Sequence, residues 1–248
     1  MTTILVPYHL DDPVADLDVP LPADITITTA LASSADRWQW MGTLYTQVAA
    51  AVASTVDAGA VPIVMSGDCL TALGTVAGLQ HAGLDPAVIW FDGHGDLQTL
   101  ETTHTGYLGG MPLRILVGYR PELISDQLEL RPVPEERTVL VDARDLDPPE
   151  AQFLDSSAIR RVAVPDVSTM ELPDGPLYLH LDLDVVDPDQ LPGLLFPAAG
   201  GPDLPTVFDA VRHVWATGRV VALGLACTWR PSHGTAALVH PHLTSALA

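Results

Sequence analysis

Lysine is missing from this chain altogether. Its 248 residues carry 11 basic side chains, all of them arginine, against 31 acidic ones, 24 of which are Asp, for a formal charge of −20. A surface of that sign repels phosphate backbones and anionic headgroups, and the arginines are scattered rather than massed into a stripe. Neither nucleic acid nor a membrane is therefore an expected partner. Cysteine is nearly missing too. Cys69 and Cys227 are too few for a disulfide scaffold, and a redox pair between them is disfavoured in a reducing compartment. No apolar run reaches the roughly 18 residues that a membrane-spanning helix needs. The opening Met1-Thr2-Thr3-Ile4-Leu5-Val6-Pro7 has no basic residue and breaks at a proline, unlike a secretion signal, so a cytoplasmic location is expected. Internal repeats, low-complexity tracts and Gly/Ser linkers are absent as well, and residues 1–248 are expected to form one domain.

Apolar residues make up 48% of the chain and charged ones 17%, a composition that buries a large core and is too apolar for disorder. Short β-branched runs alternate with helix-like stretches. Val61–Met65, Ala87–Phe91, Thr138–Val141, Arg161–Val164, Leu177–Leu181 and Val220–Leu225 read as strands, and their nearly continuous apolar character suits a parallel sheet covered on both faces. Asp36–Ala58 and Leu204–Ala216 read as long helices, with Ser33 or Ser34 and Pro205 where helix starts favour them. Residues Ser232 to Ala248 fit either helix or loop. The fold class is α/β, three layers built around a mostly parallel, doubly wound sheet.

In such sheets ligands bind at the carboxyl ends of the strands. Four of the strands end in polar chemistry: Ser66-Gly67-Asp68-Cys69, Asp92-Gly93-His94-Gly95-Asp96, Asp142-Ala143-Arg144-Asp145-Leu146-Asp147 and Asp182-Leu183-Asp184. If strand geometry continues past Phe91, the side chains of Asp92, His94 and Asp96 point the same way and could converge on one ion. Carboxylate and imidazole ligands suit Mn2+, Zn2+ or Fe2+, and a carboxylate-rich set leans toward the harder end of that series. Turn formation by Asp and Gly is the other reading of the same stretch. Asp182 and Asp184 repeat the i, i+2 spacing, and two carboxylates at one buried strand end repel unless a cation or proton lies between them. Asp187-Pro188 behind them reads as a turn. Joined, Asp92, His94, Asp96, Asp182 and Asp184 could hold two divalent ions, a pair that makes hydroxide at neutral pH and polarises a C–N or C–O centre.

With these segments in place the chain resembles the ureohydrolases, the family of arginase and agmatinase. Its members carry Gly-Gly-Asp-His, Asp-Ala-His-x-Asp, Ser-Gly-Asn-x-His-Gly-Met-Pro and Asp-x-Asp-x-x-Asp-Pro segments in that order. Here the corresponding stretches are Ser66-Gly67-Asp68-Cys69, Asp92-Gly93-His94-Gly95-Asp96, Thr105-Gly106-Tyr107-Leu108-Gly109-Gly110-Met111-Pro112 and Asp182-Leu183-Asp184-Val185-Val186-Asp187-Pro188, and the likeness runs from Val61 to Pro231. The resemblance implies an arginase-like fold with Asp92, His94, Asp182 and Asp184 around one manganese, and Asp92, Asp96, Asp182 and Cys69 around another. Cys69 stands where the family has histidine; its softer thiolate moves the preference toward Zn2+ or Fe2+. In the alternative reading Cys69 is a small buried hydrophobe and the second ion is lost. By the same resemblance Asp96 accepts the proton of the attacking water, and Gln98, Thr103 and Thr105 lie in the loop that holds an α-carboxylate. Asp147 and Glu150 are implied as acceptors of an α-ammonium; a loop aspartate and a first-turn glutamate favoured by the helix dipole are the plainer reading of that pair.

Two further departures bear on the substrate. Gly109 replaces the family's histidine before Gly-Met-Pro, leaving His104, and behind it His180, as replacement proton donors. The glutamate that usually follows the last strand falls on Trp229 when counted from Gly224 without a gap, or on Thr228 with one deletion, and neither is an acid. A guanidinium then loses a charge-assisted partner. Asp92–Asp96 and Glu101–Met111 are locally most similar to the Nω-hydroxy-L-arginine hydrolases of D-cycloserine biosynthesis. The implied activity is hydrolysis of a non-peptide C–N bond in a linear amidine, a hydroxyguanidine such as Nω-hydroxy-L-arginine or a related guanidino compound, by metal-bound hydroxide. A mononuclear, deacetylase-like amide hydrolase and a non-catalytic metal-binding homologue are the alternatives. The expected partner is a small-molecule substrate, and the family resemblance is compatible with a homo-oligomer.

Overall fold

The apolar runs become the middle of one sheet. The computed structural model describes residues 1–29 and 36–248. Along them lie strands β1 (Thr2–Val6), β2 (Tyr8–His9), β3 (Asp12–Pro13), β4 (Ile25–Thr26), β5 (Pro62–Ser66), β6 (Ala87–His94), β7 (Thr138–Asp145), β8 (Arg160–Val162), β9 (Leu177–Asp182) and β10 (Val220–Ala226). The helices are α1 (Arg37–Asp57), α2 (Thr71–His81), α3 (Pro112–Leu116), α4 (Pro148–Ser156), α5 (Leu204–Trp215) and α6 (Thr235–Ala246). Eight strands join in the order β4-β1-β5-β10-β9-β6-β7-β8, every pairing parallel, while β2 and β3 form a small antiparallel hairpin.

Alternation along each strand divides the core in two. Val64, Val88, Trp90 and Leu140 pack on the face that meets α1 and α2, and Ile63, Ile89, Phe91 and Val139 on the face that meets α5 and α6. The result is the three-layer α/β arrangement expected from the sequence. Helix α1 fills nearly the whole of the expected stretch, with Asp36 as its N-cap; Ser33 and Ser34 lie outside the described residues. Asp203 caps α5 through the Thr206 amide at 2.9 Å, with Pro205 in the first turn. The ambiguous C-terminal stretch is resolved as helix α6, despite Pro241 inside it. No helix among the described residues is long and apolar enough to cross a membrane.

The strand ends differ most from the sequence reading. Strands β6 and β7 run on through polar residues to His94 and Asp145, because the parallel ladder continues there, with His94 opposite Asp145. The register shifts between Asp92 and His94, where Asp142 and Ala143 on β7 take left-handed φ values of 78° and 50°. Such a bulge re-aims side chains at the sheet's rim. Thr2–Val6, with no structural role in the sequence reading, pairs between β4 and β5.

Candidate functional site

Strands β5, β10, β9 and β6 are neighbours in the sheet, so their carboxyl ends converge. Cys69 follows β5, Thr228 follows β10, Asp182 ends β9, and Asp92 and His94 close β6. The Cys69 thiol donates to Asp182 Oδ2 at 2.9 Å, and the Thr228 hydroxyl and the Asp184 amide donate to Asp182 Oδ1 at 2.8 and 2.9 Å. Asp92 accepts from the Trp90 indole at 3.1 Å and from the His94 amide at 2.7 Å. Asp184 accepts from the Gly93 amide at 3.1 Å and stands 3.0 Å from His94 Nδ1. Two triples bring their donor atoms within 4.8 Å of one another: Cys69, Asp92 and Asp96, and Asp92, His94 and Asp184. Asp92 belongs to both. Asp182 joins neither triple and instead links Cys69, Thr228 and the Asp184 backbone.

These carboxylates are buried, and burial sets their protonation first. Burial, then the charges of Asp92 and Asp182, pushes Asp96 well above the usual carboxylate range. Burial, then Asp184 and Asp92, does the same to Asp182, and burial with Asp92 raises Asp184 to about 6. Asp92 is the exception: burial works to raise it, but the His94 ring and amide and the Trp90 indole outweigh burial and hold it low. Burial also opposes charge on His94, yet Asp184 and Asp92 raise it to about 12. The Cys69 thiol is pushed up by burial and by Asp182, Asp96 and Asp92. Every group in the cluster thus holds on to protons or seeks positive charge. Asp96 Oδ2 is buried with no hydrogen-bond partner among the described residues. An orphaned carboxylate oxygen within a set of hard acceptors, one imidazole and one thiol fits a divalent cation.

Above the cluster opens a cavity of about 490 Å³. Gln98, Thr103, His104, Thr105 and Tyr107 form one side, Asp145, Asp147 and Glu150 another, and Phe196 faces them. Gln98 Nε2 donates to Asp147 Oδ2 at 2.6 Å and its carbonyl accepts from Thr102 at 2.7 Å. Glu150 accepts from the Leu97 amide at 2.9 Å and the Asp147 amide at 3.0 Å, closing the capping box of α4. Asp147 and Glu150 therefore border the cavity and cap a helix at once. His104 and Thr105 sit on the exposed rim.

Other expected positions fall elsewhere. Trp229 does not reach the cavity: its ring is buried and the indole N–H donates to the Asp18 carbonyl at 3.0 Å, while Thr228 lines the floor. His180 is in the core, its ring centroid 3.6 Å from that of Trp90, with Nδ1 bonded to the Tyr178 hydroxyl at 3.0 Å. Cys69 and Cys227 are separate, buried free thiols. Sequence reasoning missed His9 and Phe196. Phe196 comes from an irregular stretch and His9 from the two-residue strand β2, and neither has a pattern to announce it.

A family model described as Arginase, arginase family, matches residues 7–228. The arginase of Bacillus caldovelox is 34% identical over 170 residues, covering 62% of this chain and 56% of that protein. The chain spans about half the length of the curated relatives it matches. The solved structure of the Bacillus caldovelox arginase superposes with a TM-score of 0.82 at 25% identity over 99% of this chain and 97% of that one. That of Bacillus cereus gives 0.84 at 24% identity, over 100% and 98%, a likeness of fold.

Proposed function

Because the chain belongs to the arginase family, we propose that residues 1–248 act as one arginase-like unit, a metal-dependent hydrolase of a non-peptide C–N bond in a linear amidine. The proposed substrate is a hydroxyguanidine such as Nω-hydroxy-L-arginine. The observation that supports the choice is that Thr228, which lines the cavity and donates to Asp182, is not an acid, and the family resemblance puts the carboxylate that receives a guanidinium at Thr228 or Trp229. A cationic guanidinium there forgoes a charge-assisted bidentate pair. An N-hydroxyl group withdraws electron density and makes the guanidine less basic, so its neutral form needs no facing acid.

Cys69, Asp92, His94, Asp96, Asp182 and Asp184 would hold one or two divalent ions, Mn2+ or, with the thiol's softness, Zn2+ or Fe2+. When bound, such ions supply Lewis acidity, activating water at neutral pH and stabilising the charge that develops at the amidine carbon. Asp96, with its unpartnered oxygen, is the proposed acceptor of the attacking water's proton, a role open to it when a cation offsets the repulsion of Asp92 and Asp182 that otherwise keeps it protonated. Asp147 and Glu150 would receive the substrate's α-ammonium, and Gln98, Thr103 and Thr105 its carboxylate. His104 on the rim is the proposed donor to the leaving nitrogen.

The test is ornithine release by purified, Mn2+-loaded protein from Nω-hydroxy-L-arginine, beside L-arginine, agmatine and guanidino acids. Turnover of the hydroxyguanidine and little of L-arginine is expected; no ornithine from either overturns the proposal. The loss of both a histidine at position 69 and an acid near Thr228 also favours a mononuclear amide hydrolase. Cleavage of N-acetyl or N-formyl amines, with the amidines untouched, would decide for that reading.

A further inference from the structure

His9, on the short β2–β3 hairpin, stands behind the cavity wall, against Tyr107 and Phe196, which line it. Gly67 brings it there: the Gly67 amide donates to the Tyr8 carbonyl at 2.9 Å, and a Cβ on Gly67 would stand 2.6 Å from that carbonyl oxygen. Only a residue without a side chain allows so close an approach. Asp68 ties the next hairpin residue by accepting from the Leu10 amide at 2.7 Å. The His9 ring stacks with Tyr107 and Phe196 at centroid separations of 5.8 and 6.1 Å. Both of its nitrogens are engaged, Nδ1 with the Gly67 carbonyl oxygen at 2.7 Å and Nε2 with the Tyr107 hydroxyl at 3.0 Å.

Those partners assign the tautomer. A carbonyl oxygen only accepts, so Nδ1 carries the hydrogen; the neutral ring then has a bare Nε2, and the Tyr107 hydroxyl must donate to it. A phenol has one hydrogen to give. With that hydrogen directed at His9, Tyr107 offers the cavity it lines only the lone pairs of its oxygen. Burial, then the charges of Asp68 and Cys69, raises the phenol far above its ordinary value and keeps it protonated. The ring also fills the space beside Gly109, where a Cβ would stand 2.3 Å from the phenol oxygen.

We propose that His9 is a positioning residue that turns Tyr107 into a hydrogen-bond acceptor toward the cavity, so that the site selects head groups presenting an N–H or N–O–H donor over those presenting a carbonyl oxygen. The inference rests on the amidine reading of the site. A carbonyl oxygen at that place would face lone pairs and lose a hydrogen bond, which is discrimination by an unpaired polar group.

Two ligands of one shape test it: N5-(1-iminoethyl)-L-ornithine, an amidine, and N5-acetyl-L-ornithine, its amide. Affinities are measured by calorimetry on the metal-loaded wild type, Tyr107→Phe and His9→Phe, and the imidazole tautomer of the wild type is read from ¹⁵N chemical shifts. The wild type should prefer the amidine and show Nδ1 protonated and Nε2 bare. Tyr107→Phe should weaken the amidine about tenfold, the size of one lost hydrogen bond, and leave the amide almost unchanged. His9→Phe keeps the stacking but frees the Tyr107 hydrogen, and should shift the ratio toward the amide. Equal weakening of both ligands in Tyr107→Phe, or a protonated Nε2 in the neutral ring, overturns the inference. Selective amidine binding, lost in Tyr107→Phe and without turnover of any amidine, overturns the hydrolase reading and leaves the inference standing. Amidine turnover with an unchanged ligand ratio in both variants does the reverse, and no binding of either ligand by the wild type overturns both.

Discussion

The floor and the wall of the cavity are built on opposite terms. The floor stands on the ends of four adjacent strands, its aspartates Asp92, Asp96, Asp182 and Asp184 are each at most 5% exposed, and its order comes from the sheet. The wall is loop. Residues 98–107 hold their shape through local ties: Thr99 with Thr102, Gln98 with Asp147, and an exposed Glu101 that accepts from the Tyr119 hydroxyl at 2.6 Å and pairs with Arg120. Arg120 has a left-handed φ of 41°. A buried, over-determined floor suits a fixed chemistry, whereas a loop wall with few buried contacts suits the choice of substrate and opens at lower free energy.

Substitutions at the two levels should therefore differ in kind. The largest effect is expected at Asp92, the residue common to both triples. Asp92→Asn should abolish stoichiometric metal uptake and lower activity by more than about 100-fold, beyond what loss of an outer partner of a ligand costs. Retained metal content, measured by elemental analysis, would break the assignment of Asp92 to the shared position. Next comes removal of the ion. Because the carboxylates repel without a cation, saturating divalent metal at about 100 times Kd should stabilise the fold by about 2.7 kcal/mol, roughly 5–10 °C in Tm, and chelation should reverse it. A melting curve indifferent to metal would contradict the electrostatic account of the floor.

In the wall, Gly109→Ala should cost about 1–3 kcal/mol by overpacking against Tyr107, and less when Tyr107 is first replaced by Leu. Equal costs in both backgrounds, from denaturant titration, would separate Gly109 from Tyr107. The smallest effect belongs to Glu101, held at about 2 by the Tyr119 and Thr99 hydroxyls against an ordinary 4.5. A depressed carboxylate favours the folded loop above its ordinary value, and the advantage fades as pH falls toward 2. Hydrogen-exchange protection of residues 98–107 should fall over that window in the wild type and be lower and pH-independent in Glu101→Gln.

The same division decides what was legible beforehand. The floor was readable because its residues follow apolar strands at i, i+2 spacing, and a parallel sheet carries such residues to one end. Spacing points to Asp92, His94, Asp96, Asp182 and Asp184 and the family resemblance adds Cys69; the structure brings the donor atoms of Cys69, Asp92 and Asp96, and of Asp92, His94 and Asp184, together. The bulge at Asp142 and Ala143 was not readable, since nothing in Asp-Ala demands a positive φ. Trp229 and Thr228 could not be told apart by counting, because one residue of register separates the core from the cavity. His9 and Phe196 carry no sequence signal for a different reason: Phe196 reaches the cavity from a loop, and His9 stands behind it on a two-residue strand, both placed by contacts distant in the chain. The Gly67-Asp68 pair, which clasps the hairpin carrying His9, shows in the sequence only its place among the ordered motifs.

The most direct test of a floor with Cys69 as a working ligand is the metal content of the purified protein after manganese and zinc loading, with Cys69→Ser run beside it. Close to two ions per chain in the wild type, falling toward one in the variant, is the expected result. One ion per chain in both would contradict it, and would favour a single-ion amide hydrolase.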